Sequence, residues 1–346
     1  MSVWSLALSA TAAIASLIVT WGVREVALRR QLLDHPNDRS AHVRPTPRLG
    51  GIGIMCAFLP SAAVIVVMSG GGARALCIVA ATALISALGL ADDLRPLAAR
   101  WRFGVQLLAA TVVVAVNMGT VRTAWTLLPL PVWLLAPLSV LWIVWVTNLF
   151  NFMDGIDGLA GGQAVIGGAA ICAAAAAAGA WMQASLALAL VAAALGFLLL
   201  NFPPASIFMG DVGSTAIGFF LACFPFLPGS AGIPVEVVGL AIALFILDAT
   251  TTLVRRLARG ERFFEAHRTH VYQRPLAAGV PHGVITLSAY PGMAIVGALA
   301  LAYRESQWTQ RHLLVAAAVA IFLGYVYVVA SLERRAAGVD RDGASS

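Results

Sequence analysis

The chain contains no lysine, and charged residues of every kind fill only 11% of its 346 positions, against roughly 25% in a soluble domain. So little charge excludes an ordinary soluble fold, because 60% of the residues are hydrophobic and have too little polar surface to cover them. The four cysteines, Cys56, Cys77, Cys172 and Cys223, stand singly in or beside apolar runs with no Cys-x-x-Cys pair. That argues against a disulfide framework or a zinc site and for small packing residues. No internal repeat and no second soluble domain is visible. Basic residues are also missing ahead of the first apolar stretch, where a secretory signal peptide would carry them, so a retained membrane helix is expected there.

What the sequence does have is long apolar runs bounded by charge, Pro or Gly, of a length suited to a ~30 Å hydrocarbon core. Eleven are found, at about Val3–Val23, Gly50–Met68, Ala75–Leu90, Phe103–Val116, Leu128–Val146, Leu159–Ala178, Met182–Leu200, Val212–Leu227, Val237–Leu253, Val284–Leu301 and Leu313–Ala330. The fourth is short, and only Gly179, Ala180 and Trp181 part the sixth from the seventh, so ten or eleven spans are expected. The fold class is an all-α, polytopic transmembrane helical bundle. Residues 1–331 form one transmembrane domain and 332–346 a short cytoplasmic tail.

The net charge of +6 is carried by arginine alone, and its placement speaks for membrane topology, not for nucleic acid. All of the 22 arginines except Arg74, Arg122, Arg304 and Arg311 fall after odd-numbered runs or in the C-terminal tail. The positive-inside rule then puts the N-terminus outside and the C-terminus inside. Asp34, Asp38, Asp92, Asp93, Asp154, Asp157 and Asp211, with His42, His267 and His270, fall on that same cytoplasmic side. Chemistry is expected there.

Five stretches carry the candidate chemistry. Asp92 and Asp93 end the third run; adjacent carboxylates repel unless they share a cation, and oxygen ligands suit Mg²⁺. A solvated helix end beside Arg95 is the plainer alternative. Asn148, Asn151, Asp154 and Asp157 recur every third residue, a spacing that gathers side chains in a helical or 3₁₀ turn. Helix caps explain one or two of them; a nucleobase, ribose or metal-bound water explains all four. Asp211 sits where an N-cap would sit, with Ser214 in the first turn, and a helix N-terminus there would receive a phosphate. His267, Arg268 and His270 lie in a basic stretch from Arg255 to Arg274, which reads either as inside-positive charge or as a diphosphate holder. A second basic loop holds Arg44. Asp248, inside an apolar run, is expected to pair with a bundle-facing partner.

Taken together, Asp92-Asp93, Asn151-x-x-Asp154-Gly-Ile-Asp157-Gly and Phe208-Met-Gly-Asp211-Val-Gly-Ser make the chain resemble the polyprenyl-phosphate N-acetylhexosamine-1-phosphate transferases. The resemblance runs from Asp34 to about Gln273. It implies that Asp92, Asp93 and Asp211 are catalytic and metal-binding residues, with Mg²⁺ as cofactor and Mn²⁺ as a substitute. It implies substrate contacts at Asn148, Asn151, Asp154, Asp157, Asn201, Phe208, His267, Arg268 and His270. Arg44 stands near a family lysine. The implied partners are a UDP-N-acetylhexosamine, undecaprenyl phosphate and membrane lipids, with a homodimer as a family expectation and no nucleic acid.

Two departures, Pro96 in place of an acid or amide and a His-Arg-Thr-His motif in place of adjacent histidines, resemble the O-antigen-initiating branch. They do not specify the sugar. The expected reaction is a metal-assisted phosphoryl transfer that releases UMP at the inner membrane's cytoplasmic face. The rival reading is an ion-coupled transporter, which would place its polar groups near the midplane in repeated halves; a non-catalytic scaffold for glycan assembly is the other.

Overall fold

The computed structural model describes residues 2–34, 45–229, 233–261 and 269–343. Backbone groups in hydrocarbon must be satisfied within the chain, so apolar runs of this length fold as helices. Thirteen α-helices result among the described residues: α1 (Val3–Arg30), α2 (Gly51–Met68), α3 (Gly72–Leu94), α4 (Ala99–Val116), α5 (Met118–Ala124), α6 (Val132–Phe152), α7 (Leu159–Ala177), α8 (Trp181–Asn201), α9 (Asp211–Cys223), α10 (Val235–Ala241), α11 (Ala243–Ala258), α12 (His282–Glu305) and α13 (Trp308–Gly343). Leu84, Leu108, Leu141 and Leu199 stand on the outer surface, where a bilayer would cover them.

Every one of the eleven apolar runs is helical, but they do not all span alike. Nine of the described helices are long and apolar enough to cross a membrane, or ten if α10 and α11 count as one. Those two meet at a bend of 85°, which breaks the run expected at Val237–Leu253. The run expected at Val212–Leu227 is only 13 residues of α-helix before a short 3₁₀ turn at Phe224–Phe226. At 1.5 Å per residue that is about 20 Å, short of a full crossing. Its apolar character has another cause: α9 is the core. Every residue from Val212 to Cys223 is buried, enclosed chiefly by α3 and α6, with α2 alongside.

Small residues permit this central packing. A Cβ on Gly213 would stand 2.8 Å from the Cα of Gly51, and one on Gly218 would stand 2.7 Å from the Cβ of Phe150. On the outer flank, α1 turns Ser5, Ser9, Ala12, Ser16 and Thr20 inward, toward α2 and α8.

Connections at one end of the bundle hold most of the polar chain. Strands β1 (Leu33–Asp34) and β2 (Thr46–Pro47) pair antiparallel, with Leu33 opposite Pro47 and Asp34 opposite Thr46. The chain beyond β2 then binds the approach to α9: Phe208 N donates to Pro47 O at 2.8 Å, and Gly50 N to Phe208 O at 2.9 Å. The other end is closed by Glu236, which accepts from the N–H groups of Thr126 and Leu127 at 2.9 and 2.7 Å.

Candidate active site

The site is built around the first turn of α9. Gly210 precedes it with φ +75°, a left-handed conformation that costs glycine nothing. The helix cap is therefore Gly210 and not Asp211, which is the first helical residue. The N–H groups left free at the helix start are satisfied from another helix: Asp93, near the end of α3, accepts from Asp211 N at 3.0 Å and Val212 N at 2.9 Å. A side chain on Gly210 would run into that carboxylate, 2.7 Å from its Oδ2. Asp93 thus fixes the position of Asp211, and negative charge suits the positive end of the helix dipole.

Asp92 faces the same space. Its Oδ1 accepts from Leu97 N at 2.6 Å, and its Oδ2 lies 2.7 Å from Arg102 Nη1. The same guanidinium reaches Asp211 Oδ2 at 3.3 Å, and burial together with the neighbouring charges of Asp93 and Asp92 pushes the pKa of Asp211 up to about 7. By sequence alone Arg102 is one more of the arginines that mark the inner side. Its place in the first turn of α4, which starts at Ala99 and not at Phe103, puts it across from both acids. A count of charges in a loop cannot reveal that.

The Asn148–Asp157 series divides where α6 ends at Phe152. Asn148 donates to Gln106 Oε1 at 2.7 Å, and Asn151 Oδ1 accepts from Ser214 Oγ at 2.6 Å, so these two join α6 to α4 and α9. Asp157 Oδ1 lies 2.9 Å from His282 Nδ1, and its Oδ2 accepts from Ala205 N at 3.0 Å. His282, a lone histidine at the start of α12, carried no sequence signal. Asn201 is buried and accepts from Gly158 N at 3.0 Å while donating to Ile207 O at 2.9 Å. Phe208 is half-buried beside it.

Asp154 differs from the rest. Its side chain has no hydrogen-bond partner among the described residues. Burial, reinforced by the charges of Asp211, Asp93 and Asp157, pushes its pKa up to about 8. Asp154 keeps part of its surface exposed, so it is the crowding of its carboxyl by protein and by neighbouring acids that disfavours the ionised form, and a cation would reverse this.

Asp248 meets the expectation of a bundle-facing partner. It is fully buried and bonds His270 together with the backbone that follows. Tyr272 donates a hydrogen bond from its hydroxyl to Phe152 O at 3.1 Å and lies against Gly155, so this segment packs beneath the loop carrying Asp154. Arg44, His267 and Arg268 fall outside the described residues.

Asp92, Asp154 and Asp211 offer hard oxygen donors with a surplus of negative charge. Among the described residues, no three of His, Cys, Asp or Glu stand ready to hold a metal unaided. The hard oxygen donors suit Mg²⁺, which binds through one or two carboxylates and takes its remaining ligands from water and substrate phosphates.

Fold and site together define a polytopic membrane protein with an acidic centre at the start of α9, whose N–H groups are taken by Asp93 and are not left free for a phosphate as the sequence suggested. The model of glycosyl transferase family 4 matches residues 75–227, the stretch from before Asp92 to beyond Asp211. A probable undecaprenyl-phosphate N-acetylglucosaminyl 1-phosphate transferase of Bacillus subtilis is 32% identical over 290 residues, 79% of this chain and 78% of its own length. A decaprenyl-phosphate N-acetylglucosaminephosphotransferase of Mycolicibacterium smegmatis is 31% identical, covering 90% of this chain and 85% of its own. An undecaprenyl-phosphate alpha-N-acetylglucosaminyl 1-phosphate transferase of Escherichia coli K12 is 28% identical over 80% and 78%. The chain belongs to this polyprenyl-phosphate N-acetylhexosamine-1-phosphate transferase family. Nothing in these similarities supports the transporter reading.

Proposed function

We propose that the protein transfers N-acetylhexosamine 1-phosphate from a UDP-sugar to polyprenyl phosphate, starting a lipid-linked glycan on the cytoplasmic face of the membrane. The observation that carries this reading is the convergence of Asp92, Asp154 and Asp211 with Arg102 around a buried helix start. The relatives' names favour N-acetylglucosamine as the sugar and undecaprenyl or decaprenyl phosphate as the acceptor.

An oxygen of the acceptor phosphate forms a new bond to the sugar-proximal phosphorus. The bond from that phosphorus to the UMP oxygen breaks, and UMP leaves with the electron pair. Positioning and charge balance are the main demands on the protein. Arg102 spans the acids and is placed to balance the diphosphate. Asp93 keeps the α9 N-terminus in register. The loop of Asp154 to Gly158, braced by Asn201 and His282, is suited to the nucleotide. The acceptor's second pKa is ~6, so it arrives largely deprotonated and Asp92 has little work as a base. Mg²⁺ would be held by Asp211 with Asp92 and supplies neutralisation of the diphosphate charge.

Purified protein is incubated with polyprenyl phosphate, Mg²⁺ and a panel of UDP-sugars, and UMP is measured. Release of UMP with one UDP-N-acetylhexosamine is expected, strictly dependent on the acceptor. No release with any sugar of the panel refutes the function. Full turnover of Asp211→Asn at limiting Mg²⁺ refutes its part in metal binding.

A further inference from the structure

The mechanism above makes no use of the most deeply buried carboxylate among the described residues. Asp248 lies on α11 with no exposure at all, and a charge there is costly unless donors surround it. Four do. His270 Nδ1 stands 3.2 Å from its Oδ1, and Val271 N donates to the same oxygen at 2.9 Å. Tyr272 N donates to Oδ2 at 3.1 Å, and Thr252 Oγ1 to Oδ1 at 3.2 Å.

Those backbone donors have a structural meaning. Val271 and Tyr272 open the 3₁₀ segment Val271–Ala278, with His270 as its cap, so their N–H groups have no partner within the segment. Asp248 caps it from a helix 22 residues earlier, the device by which Asp93 starts α9. The imidazole of His270 is itself 5.7 Å from the Tyr272 ring in a stacked pair and 6.5 Å from that of Phe152. One carboxylate thus sets both the place of the ring and the path of the backbone behind the Asp154 loop.

The geometry points to Asp248 as a positioning residue that acts through His270, holding the buried ring as its Nδ1–H tautomer behind the loop that carries Asp154. A carboxylate has no proton to donate, so the ring nitrogen facing it must carry one. The inference rests on the proposed function for its kinetic consequence but not for its structural one.

Asp248→Asn tests it in the full-length protein. The amide keeps one acceptor for the backbone but can turn an NH₂ toward His270, which favours the opposite tautomer. Turnover is expected to fall on the order of 10–100-fold, as for groups that orient a functional histidine, with KM for the polyprenyl phosphate unchanged. In a His270→Ala background the same substitution is expected to cost less than about threefold more, because coupled residues are not additive. Full additivity overturns the proposal.

Thr252→Val, which removes a donor and keeps the carboxylate, is expected to retain wild-type turnover. A collapse like that of Asp248→Asn would mean that packing at Asp248 matters and not its charge. Independently of activity, ¹⁵N NMR of the histidine-labelled wild type, with His270 assigned by its loss in His270→Gln, is expected to show a protonated Nδ1. An Nε2–H ring overturns the proposal even if Asp248→Asn does not fold. An inactive wild type that nonetheless shows the Nδ1–H ring counts against the function and upholds the placement of His270 by Asp248.

Discussion

Placing an alanine at Gly89 tests whether the position of Asp211 matters at the scale of tenths of an ångström. Gly89 lies on the buried face of α3, one turn before Asp92. A Cβ there would stand 2.7 Å from Val212 N and closer still to the carbonyl of Asp211, whereas ordinary Cβ contacts begin near 3.4 Å. Backbone opposes backbone, so no flexible side chain can yield. The start of α9 must retreat by at least about 0.7 Å from these figures, and Asp211 moves with it, away from Asp93 and Arg102. Overpacking of this kind costs about 1–3 kcal/mol of stability, and a ~1 Å misplacement at a reacting centre costs on the order of 100-fold in rate.

The assay is UMP release with the preferred sugar, fitted for kcat and KM, beside a thermal unfolding curve in detergent. The matched control is Gly104→Ala on α4, where an added Cβ meets nothing within 4 Å; it is expected to keep full activity and gain a little helix stability. Gly89→Ala with wild-type kcat and an unchanged melting temperature would refute the claim that α3 and α9 are held in backbone contact at this point.

Two further outcomes follow from the charges. Arg102→Met leaves Asp92 and Asp211 facing each other without their shared cation, and kcat/KM for the UDP-sugar is expected to fall on the order of 100-fold, partly restored in Arg102→Lys; equal activity of the Met variant with wild type would remove Arg102 from the site. Asp154, with its pKa raised to about 8 mainly by burial, binds a proton more tightly folded than unfolded. Its stabilising effect is complete in acid and is lost as pH rises toward about 8. In metal-free detergent the melting temperature is therefore expected to decline over that range. Asp154→Asn should flatten the decline, and a pH profile unaltered by the substitution would show that Asp154 does not titrate as described.

The bundle was legible because membrane-crossing helices announce themselves by length and hydropathy, and all eleven apolar runs are helical. Where the reading strayed, local apolarity had a different origin. The run at Val212–Leu227 is apolar because protein encloses it, and hydropathy does not distinguish burial in protein from burial in lipid. The run at Val237–Leu253 hides an 85° break that has no proline within it. At the site, Asp92, Asp93, Asp154 and Asp211 could be read from motif and placement. Arg102 and His282 could not: Arg102 stands ten residues from Asp92 and 109 from Asp211, and His282 stands 125 from Asp157, separations that no spacing rule covers. The even spacing of Asn148, Asn151, Asp154 and Asp157 suggested one shared face, yet the end of α6 sends them to different neighbours.

Asp93 and Asp248 each anchor the beginning of a segment from a separate helix in the scaffold. The place of Asp211 and the path of the backbone behind the Asp154 loop are thereby inherited from how the bundle is assembled.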